Sequence, residues 1–130
     1  MKNIFVLSLL AIIISCSSNK GYKKAEDAQD AGRQFIRASL DGDYKRARFY
    51  LLNDPDNMAV LQKQESYYNE LTEAEKNSYR EASIHPISIK PENDSVTNYT
   101  YYQSSKVKDT TTLRIVRMNN EWLVDLKSVH

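Results

Sequence analysis

The spacing of apolar residues changes once along this chain, between Ala82 and Ile84, and that change limits the fold more than any other feature. Upstream, apolar residues recur at three-to-four intervals, as one face of a helix requires. Ala28, Ala31, Phe35, Ile36 and Leu40 form the first stripe. Asp41-Gly42-Asp43 interrupts it, with Gly42 suited to a left-handed C-terminal cap and Asp43 to the N-cap of the next helix. Tyr44, Ala47, Tyr50 and Leu51 continue the pattern up to a turn at Asn53-Asp54-Pro55. Met58, Leu61, Glu65 and Tyr68 trace a third helix, and Thr72 with Glu75 fits a capping box opening a fourth that holds Tyr79 and Ala82. Downstream the pattern alternates. Ile87 and Ile89 precede a turn at Asn93-Asp94, and the Thr- and Tyr-rich run Val96 to Gln103 suits a half-buried strand. Thr110 to Met118 is the next strand, Asn119-Asn120 supplies a tight turn, and Trp122, Val124 and Leu126 share one face of the last strand. Helices first and strands after predict an α+β domain, with N-terminal helices packed on one face of an antiparallel sheet of about four strands.

The first 16 residues obey a different logic. Lys2 is followed by an apolar run from Ile4 to Ile14, broken only by Ser8 and too short to cross a bilayer. A basic start, a short apolar stretch and a small residue before the cut describe a secretory signal. Ile13-Ile14-Ser15-Cys16 resembles the lipobox of bacterial lipoproteins, in which the cysteine thiol takes a diacylglyceryl group, cleavage follows before it, and the new amine is acylated, often with palmitate. The resemblance implies a cleaved signal helix over residues 1–15, a lipidated tether over 16–24 with Cys16 as the modified residue, and one domain over 25–130. Cys16 is the single cysteine, so no internal disulfide can form, and lipidation consumes a thiol that would be a liability in an oxidising compartment. Two or three acyl chains hold a protein firmly at a membrane where one holds it marginally. Ser17, with no aspartate after the cysteine, resembles an outer-membrane sorting signal, which places the expected destination at the periplasmic face of the outer membrane.

Removing residues 1–15 from the 130 leaves 115, enough for one core without disulfides. Of 18 basic residues only Lys2 is lost, leaving 17 against 17 acidic ones. A balanced surface argues against nucleic acid as a partner, since phosphate binding needs a basic stripe, and against holding a membrane by charge alone.

Two segments carry a resemblance to a known superfamily. Phe35-Ile36-Arg37-Ala38 followed by Gly42-Asp43-Tyr44, Ala47 and Tyr50-Leu51 resembles the opening helix pair of nuclear-transport-factor-2-like proteins. Val116-Arg117-Met118-Asn119-Asn120-Glu121-Trp122-Leu123-Val124-Asp125 resembles their closing hairpin, with Asn120 where a turn glycine is usual. The chain is most similar to small envelope lipoproteins of unknown function with this cystatin-like or lumazine-binding-like fold. The resemblance implies a curved sheet wrapped around a long helix as a cone, used as an enzyme pocket, a small-ligand pocket, or a packed core behind a partner surface. Fold alone does not choose among these.

Chemistry-bearing residues are sparse. No acid or base of the isomerase- or cyclase-like enzymes of that superfamily maps onto the chain, so no catalytic residue is assigned. His85 lies at the helix-to-strand junction and His130 at the end, neither with a neighbour at metal-ligand spacing, so no metal and no cofactor are expected. Three glycines in the whole chain are too few for a phosphate-cradling loop. The nine tyrosines, all beyond Cys16, are the unusual feature. Most read as half-buried packing, with Tyr99 and Tyr101 on one sheet face and Tyr102 on the other. A phenol also suits a pocket rim or an interface, and the cone resemblance singles out Tyr50, Tyr99, Tyr101 and Trp122 as the candidate pocket. Asp94-Ser95-Val96 and Asp109-Thr110-Thr111 resemble an O-glycosylation acceptor motif of one group of Gram-negative bacteria, making Ser95 and Thr110 candidate acceptors. Glu70 to Glu81 reads as a solvated helix face held by local ion pairs. The favoured function is a membrane-anchored, noncatalytic domain for protein interaction or assembly support, with a protein partner or a homodimer as the expected partner. A small-molecule-binding lipoprotein is the alternative, and an isomerase- or cyclase-like enzyme the third reading.

Overall fold

The computed structural model describes residues 21–128; the signal segment, Cys16, the tether up to Lys20, and His130 lie outside the described residues. Four helices, α1 (Ala28–Asp41), α2 (Tyr44–Phe49), α3 (Pro55–Glu70) and α4 (Glu73–Glu81), precede four strands, β1 (Ile84–Asn93), β2 (Val96–Gln103), β3 (Thr111–Met118) and β4 (Glu121–Asp125), and a single 3-10 turn, Leu126–Ser128. The fold is α+β, and the sheet is an open antiparallel meander in the order β1-β2-β3-β4. No helix among the described residues is long and apolar enough to cross a membrane.

The local signals act as their chemistry requires. Asp27, Asp43 and Asp54 each accept a backbone N–H at a helix start, and Pro55 occupies the first turn of α3, where its missing N–H costs nothing. Thr72 and Glu75 form the reciprocal capping box of α4. Gly42 closes α1 at φ 74°, and Asn119 and Asn120 turn the β3–β4 hairpin at φ 52° and 60°. Asparagine tolerates that region better than other residues carrying a β-carbon.

The core lies between α1 and one sheet face. Ala28, Ala31, Phe35, Ile36 and Ala38 pack on Tyr99, Leu113, Ile115 and Val124. Gly32 lets the helix sit directly on the sheet, because a β-carbon there would fall 2.9 Å from Ile115 Cδ1 and 3.1 Å from Tyr99 Cδ2. The register pairs Tyr99 with Leu113, and Ile115 with both Thr97 and Val124, so these residues share the buried face. Asn98, Thr100, Arg114 and Tyr102 line the opposite one. There Arg114 and Asn98 bond Glu92, and Thr100 bonds Thr112, a solvated polar surface.

Three expectations change. Ile87 does not alternate with Ile89: a bulge between Pro86 and Ser88 leaves Ile87 55 % exposed. Ile84 and Ile89 are an odd number of residues apart, so one extra residue must be inserted before both can face the helices. Leu51 is not helical. The chain leaves α2 at Phe49 and lies along β4, with Leu52 N donating to Val124 O and Val124 N to Tyr50 O, both at 2.8 Å. That parallel bridge covers part of one sheet edge, and the other edge carries Pro86 and Pro91, which cannot donate to a further strand. Leu126 leaves the strand for the 3-10 turn yet stays buried, because Asn57 holds it. Asn57 is wholly buried; its Oδ1 accepts from Leu126 N at 2.7 Å and its Nδ2 donates to Asp125 and Asp54 at 3.2 Å each.

Candidate binding groove

The C-terminal half of α3 presents Gln64, Tyr67 and Tyr68 at helical spacing, and Leu71, the cap residue just beyond it, extends the stripe. Opposite it stand Ser39 and Leu40 at the end of α1, Tyr44 at the start of α2 and Tyr79 on α4. Together with Lys63 these residues line an open, mainly apolar groove of about 360 Å³. The Tyr68 ring is its floor, edge-on to Tyr44 at 5.9 Å between centroids and tilted against Tyr79 at 6.5 Å. Tyr67, 58 % exposed, is a ridge from which a smaller depression runs past Tyr79 to Ser105 and Lys106.

α4 closes the groove only because α1 holds it. The Arg37 guanidinium donates to the carbonyls of Ala82 at 2.6 Å, Arg80 at 3.0 Å and Tyr79 at 3.2 Å, and Asp41 orients it from one turn away. These carbonyls belong to the last turn of α4 and its cap, where a helix has no internal donors left. α4 buries none of its own residues, so this cap is the main polar attachment of a solvated helix.

Burial pushes the Tyr44 phenol up to about 12, assisted by the neighbouring Tyr68 and Tyr79 phenols and the Glu65 carboxylate. Its hydroxyl donates to Gln64 O at 3.3 Å. The Tyr68 hydroxyl is buried against Gly42 without a hydrogen-bond partner. Lys76 lies 5.8 Å from the Tyr68 ring centroid and Lys106 lies 5.3 Å from that of Tyr79, within reach of a cation–π attraction. Contact with the Tyr79 phenol raises Lys106 above its ordinary value. The titratable groups lining the groove are phenols and one lysine, which at neutral pH offer donors, π faces and a positive charge. Such a surface suits the binding and orienting of an apolar or aromatic group.

The residues singled out from the sequence lie elsewhere. Tyr50 is buried where the N-terminal segment meets α2, its hydroxyl donating to Lys23 O at 2.7 Å. Tyr99 is 1 % exposed beneath α1, and Tyr101 stands beside it at 6.0 Å, pushed by burial up to about 12. Trp122 is half-buried on the same sheet face but at the other end, above Asp27 and Ala28. The fold thus brings Tyr99 and Tyr101 together and keeps Tyr50 and Trp122 apart from them. Ser95 is exposed at the tip of the β1–β2 turn, and Thr110 is exposed just before β3. His85 stacks on Tyr102 at 4.8 Å. Among the described residues no group of three or more His, Cys, Asp or Glu side chains could hold a metal. The clustering of Tyr44, Tyr67, Tyr68 and Tyr79 was not foreseen. The only advance signal was the stripe along α3, since α1 and α4 join it through tertiary packing. The chain matches no known family, no curated protein and no solved structure.

Proposed function

We propose that this chain is a lipid-anchored envelope protein whose noncatalytic domain docks a segment of a protein partner in the tyrosine groove. The carrying observation is the groove itself: apolar, open, walled by four helices and lined by Tyr44, Tyr67, Tyr68, Leu71 and Tyr79. Tyrosine suits such surfaces because it offers apolar area and one polar tip at little entropic cost. Lys63 within the groove and Lys106 beside it favour a segment that sets an aromatic or aliphatic side chain next to a carboxylate. The anchor reading rests on Ile13-Ile14-Ser15-Cys16 and the preceding apolar run, and the outer-membrane destination on Ser17. Membership of the nuclear-transport-factor-2-like superfamily and a cone-like curvature of the sheet belong to the same proposal. The bulges in β1 and the close seat of Gly32 on Tyr99 and Ile115 support it.

A small-molecule reading is favoured by one observation, the groove's volume, which falls within the roughly 300–1,000 Å³ of ligand sites. It applies to the groove and not to the space beneath α1, which Phe35, Tyr99, Leu113 and Ile115 fill.

The test is site-specific photocrosslinking in cells, with a benzophenone amino acid at Tyr67 and, as control, at Ile87. A discrete protein adduct at position 67 that disappears in a Tyr79→Ala background supports docking. Identical adducts at both positions, or none at 67, reject it. Native mass spectrometry of the protein gently extracted from its membrane separates the readings, since a retained ligand adds a small mass and a partner or second copy adds a protein-sized one.

A further inference from the structure

The domain has two ends along α1, whose 14 residues rise about 20 Å. At the C-terminal end lie the tyrosine groove, α4 and the β2–β3 loop, where Ser83 N bonds Ser104 Oγ and Lys106 covers Tyr79. At the N-terminal end lie the β1–β2 and β3–β4 turns. There Arg117 N donates to Ser95 O, and Trp122 and Asp94 share a shallow depression with Asp27 and Ala28.

The N-terminal segment joins the domain at this second end and is pinned there. The Tyr22 ring packs on Phe49 at 5.5 Å, Phe49 packs edge-on to Tyr50 at 5.0 Å, and Tyr50 bonds the Lys23 carbonyl. Only five residues separate Cys16 from Tyr22, and the six Cα–Cα steps reach about 20 Å at full extension. A lipid on Cys16 therefore brings this end to the membrane first. For the groove to touch lipid, the tether would have to lie fully stretched along the whole domain.

The surface around the pinned segment suits a headgroup layer. Tyr22 and Phe49 are half-buried aromatics, and Met118 is 49 % exposed at the β3–β4 turn. Exposed Lys24 and Arg117 stand at the same end, and Phe49 shares a depression with Lys45, Met58, Glu121 and Leu123. Aromatic rings and long cationic side chains are the groups that settle at the boundary between hydrocarbon and water. Glu26, Asp27, Asp94 and Glu121 share this end, so contact is carried by apolar and aromatic surface rather than by net charge.

We infer that the end bearing Tyr22, Phe49 and the β3–β4 turn rests on the lipid headgroup layer, holding the tyrosine groove about 20 Å outward, toward the aqueous side. This orientation rests on the lipid-anchor reading and adds to it the face that meets the membrane and the direction in which the groove opens. The test uses the mature lipidated protein in phosphatidylethanolamine–phosphatidylglycerol vesicles, with an environment-sensitive fluorophore on Met118→Cys or on Asn77→Cys of α4. A headgroup spin-labelled lipid is the quencher, and intact mass is measured on each sample. Several-fold stronger quenching at 118 than at 77 is expected. A lipid mass with equal quenching, or with stronger quenching at 77, overturns the orientation and leaves the anchor standing. Mature protein without lipid mass overturns the anchor and the orientation together.

Discussion

At the scale of single residues, the neighbours Gly42 and Tyr68 show how much depends on a few atoms. Gly42 sits at positive φ, and a β-carbon there would fall 2.7 Å from Tyr68 Cζ. Gly42→Ala is expected to lower stability by about 2 kcal/mol, from backbone strain and displacement of the ring, read as a lower urea midpoint. Tyr68→Phe should behave in the opposite sense. Its hydroxyl is buried without a partner, so removing it relieves a desolvation penalty and is expected to be neutral or to stabilise by up to about 1 kcal/mol. A loss above that figure would mean the hydroxyl has a bonding role. Asn57 is the contrasting case, since every polar atom of its side chain is used. Asn57→Ala strands Leu126 N and one face of Asp125 and is expected to cost about 3 kcal/mol in denaturant unfolding. None of the three roles is visible in residue type alone. Gly42 was legible as a cap, but its contact with Tyr68 comes from a helix 26 positions away.

At the scale of elements, the helices are docked by polar devices at their ends as much as by apolar faces. Arg37→Met keeps the length of the side chain but removes the donors that satisfy the end of α4. A loss of about 2 kcal/mol is expected, and amide exchange should quicken within Glu73–Glu81 while β2 and β3 remain protected. Uniform acceleration across the domain would contradict the view of α4 as an element held mainly by this cap. The start of α3 is tied down by Asp54, whose carboxyl is held below its ordinary value chiefly by the Lys127 ammonium and then by Asn57 N. A lowered folded pKa contributes stability that is complete above the unfolded carboxylate value of about 3.9 and is lost as pH falls through the folded value. Asp54→Asn should therefore flatten the acid limb of the stability profile below about pH 4 and also lower stability at neutral pH. A profile unchanged in shape would show that Asp54 and Lys127 do not act as a pair. The capping signals of α1 to α4 could be read locally, because each involves residues three or four apart. The bulge at Ile87 could not, because it answers the register of β2.

At the scale of the whole molecule, the proposed anchor would complete one arrangement: the described chain begins near one end of α1, and the open aromatic surface lies at the other. Cys16→Ala is expected to abolish metabolic labelling with a fatty acid and to leave precursor with its signal attached. Mature, membrane-bound protein from that variant would refute the lipobox reading. Beyond residue 15 the chain carries 17 basic against 17 acidic residues, so the proposed anchor would depend on lipid rather than on charge.

The sequence by itself determined the order of helices and strands, the helix caps, the Asn119-Asn120 turn and the two-faced character of β2, because these follow from periods of 3.6 and 2 and from short-range hydrogen bonds. Only the tertiary structure decided where the tyrosines meet. Tyr44, Tyr68 and Tyr79 sit on three helices, and their approach depends on how Arg37 and Gly42 set α1 against α4 and α3. It likewise decided that Tyr99 belongs to the core, since Gly32 draws α1 down onto the sheet and leaves no space beneath it for an open pocket. Patterning reports which face of an element is buried, and the packing of one element on another decides which buried faces share a site.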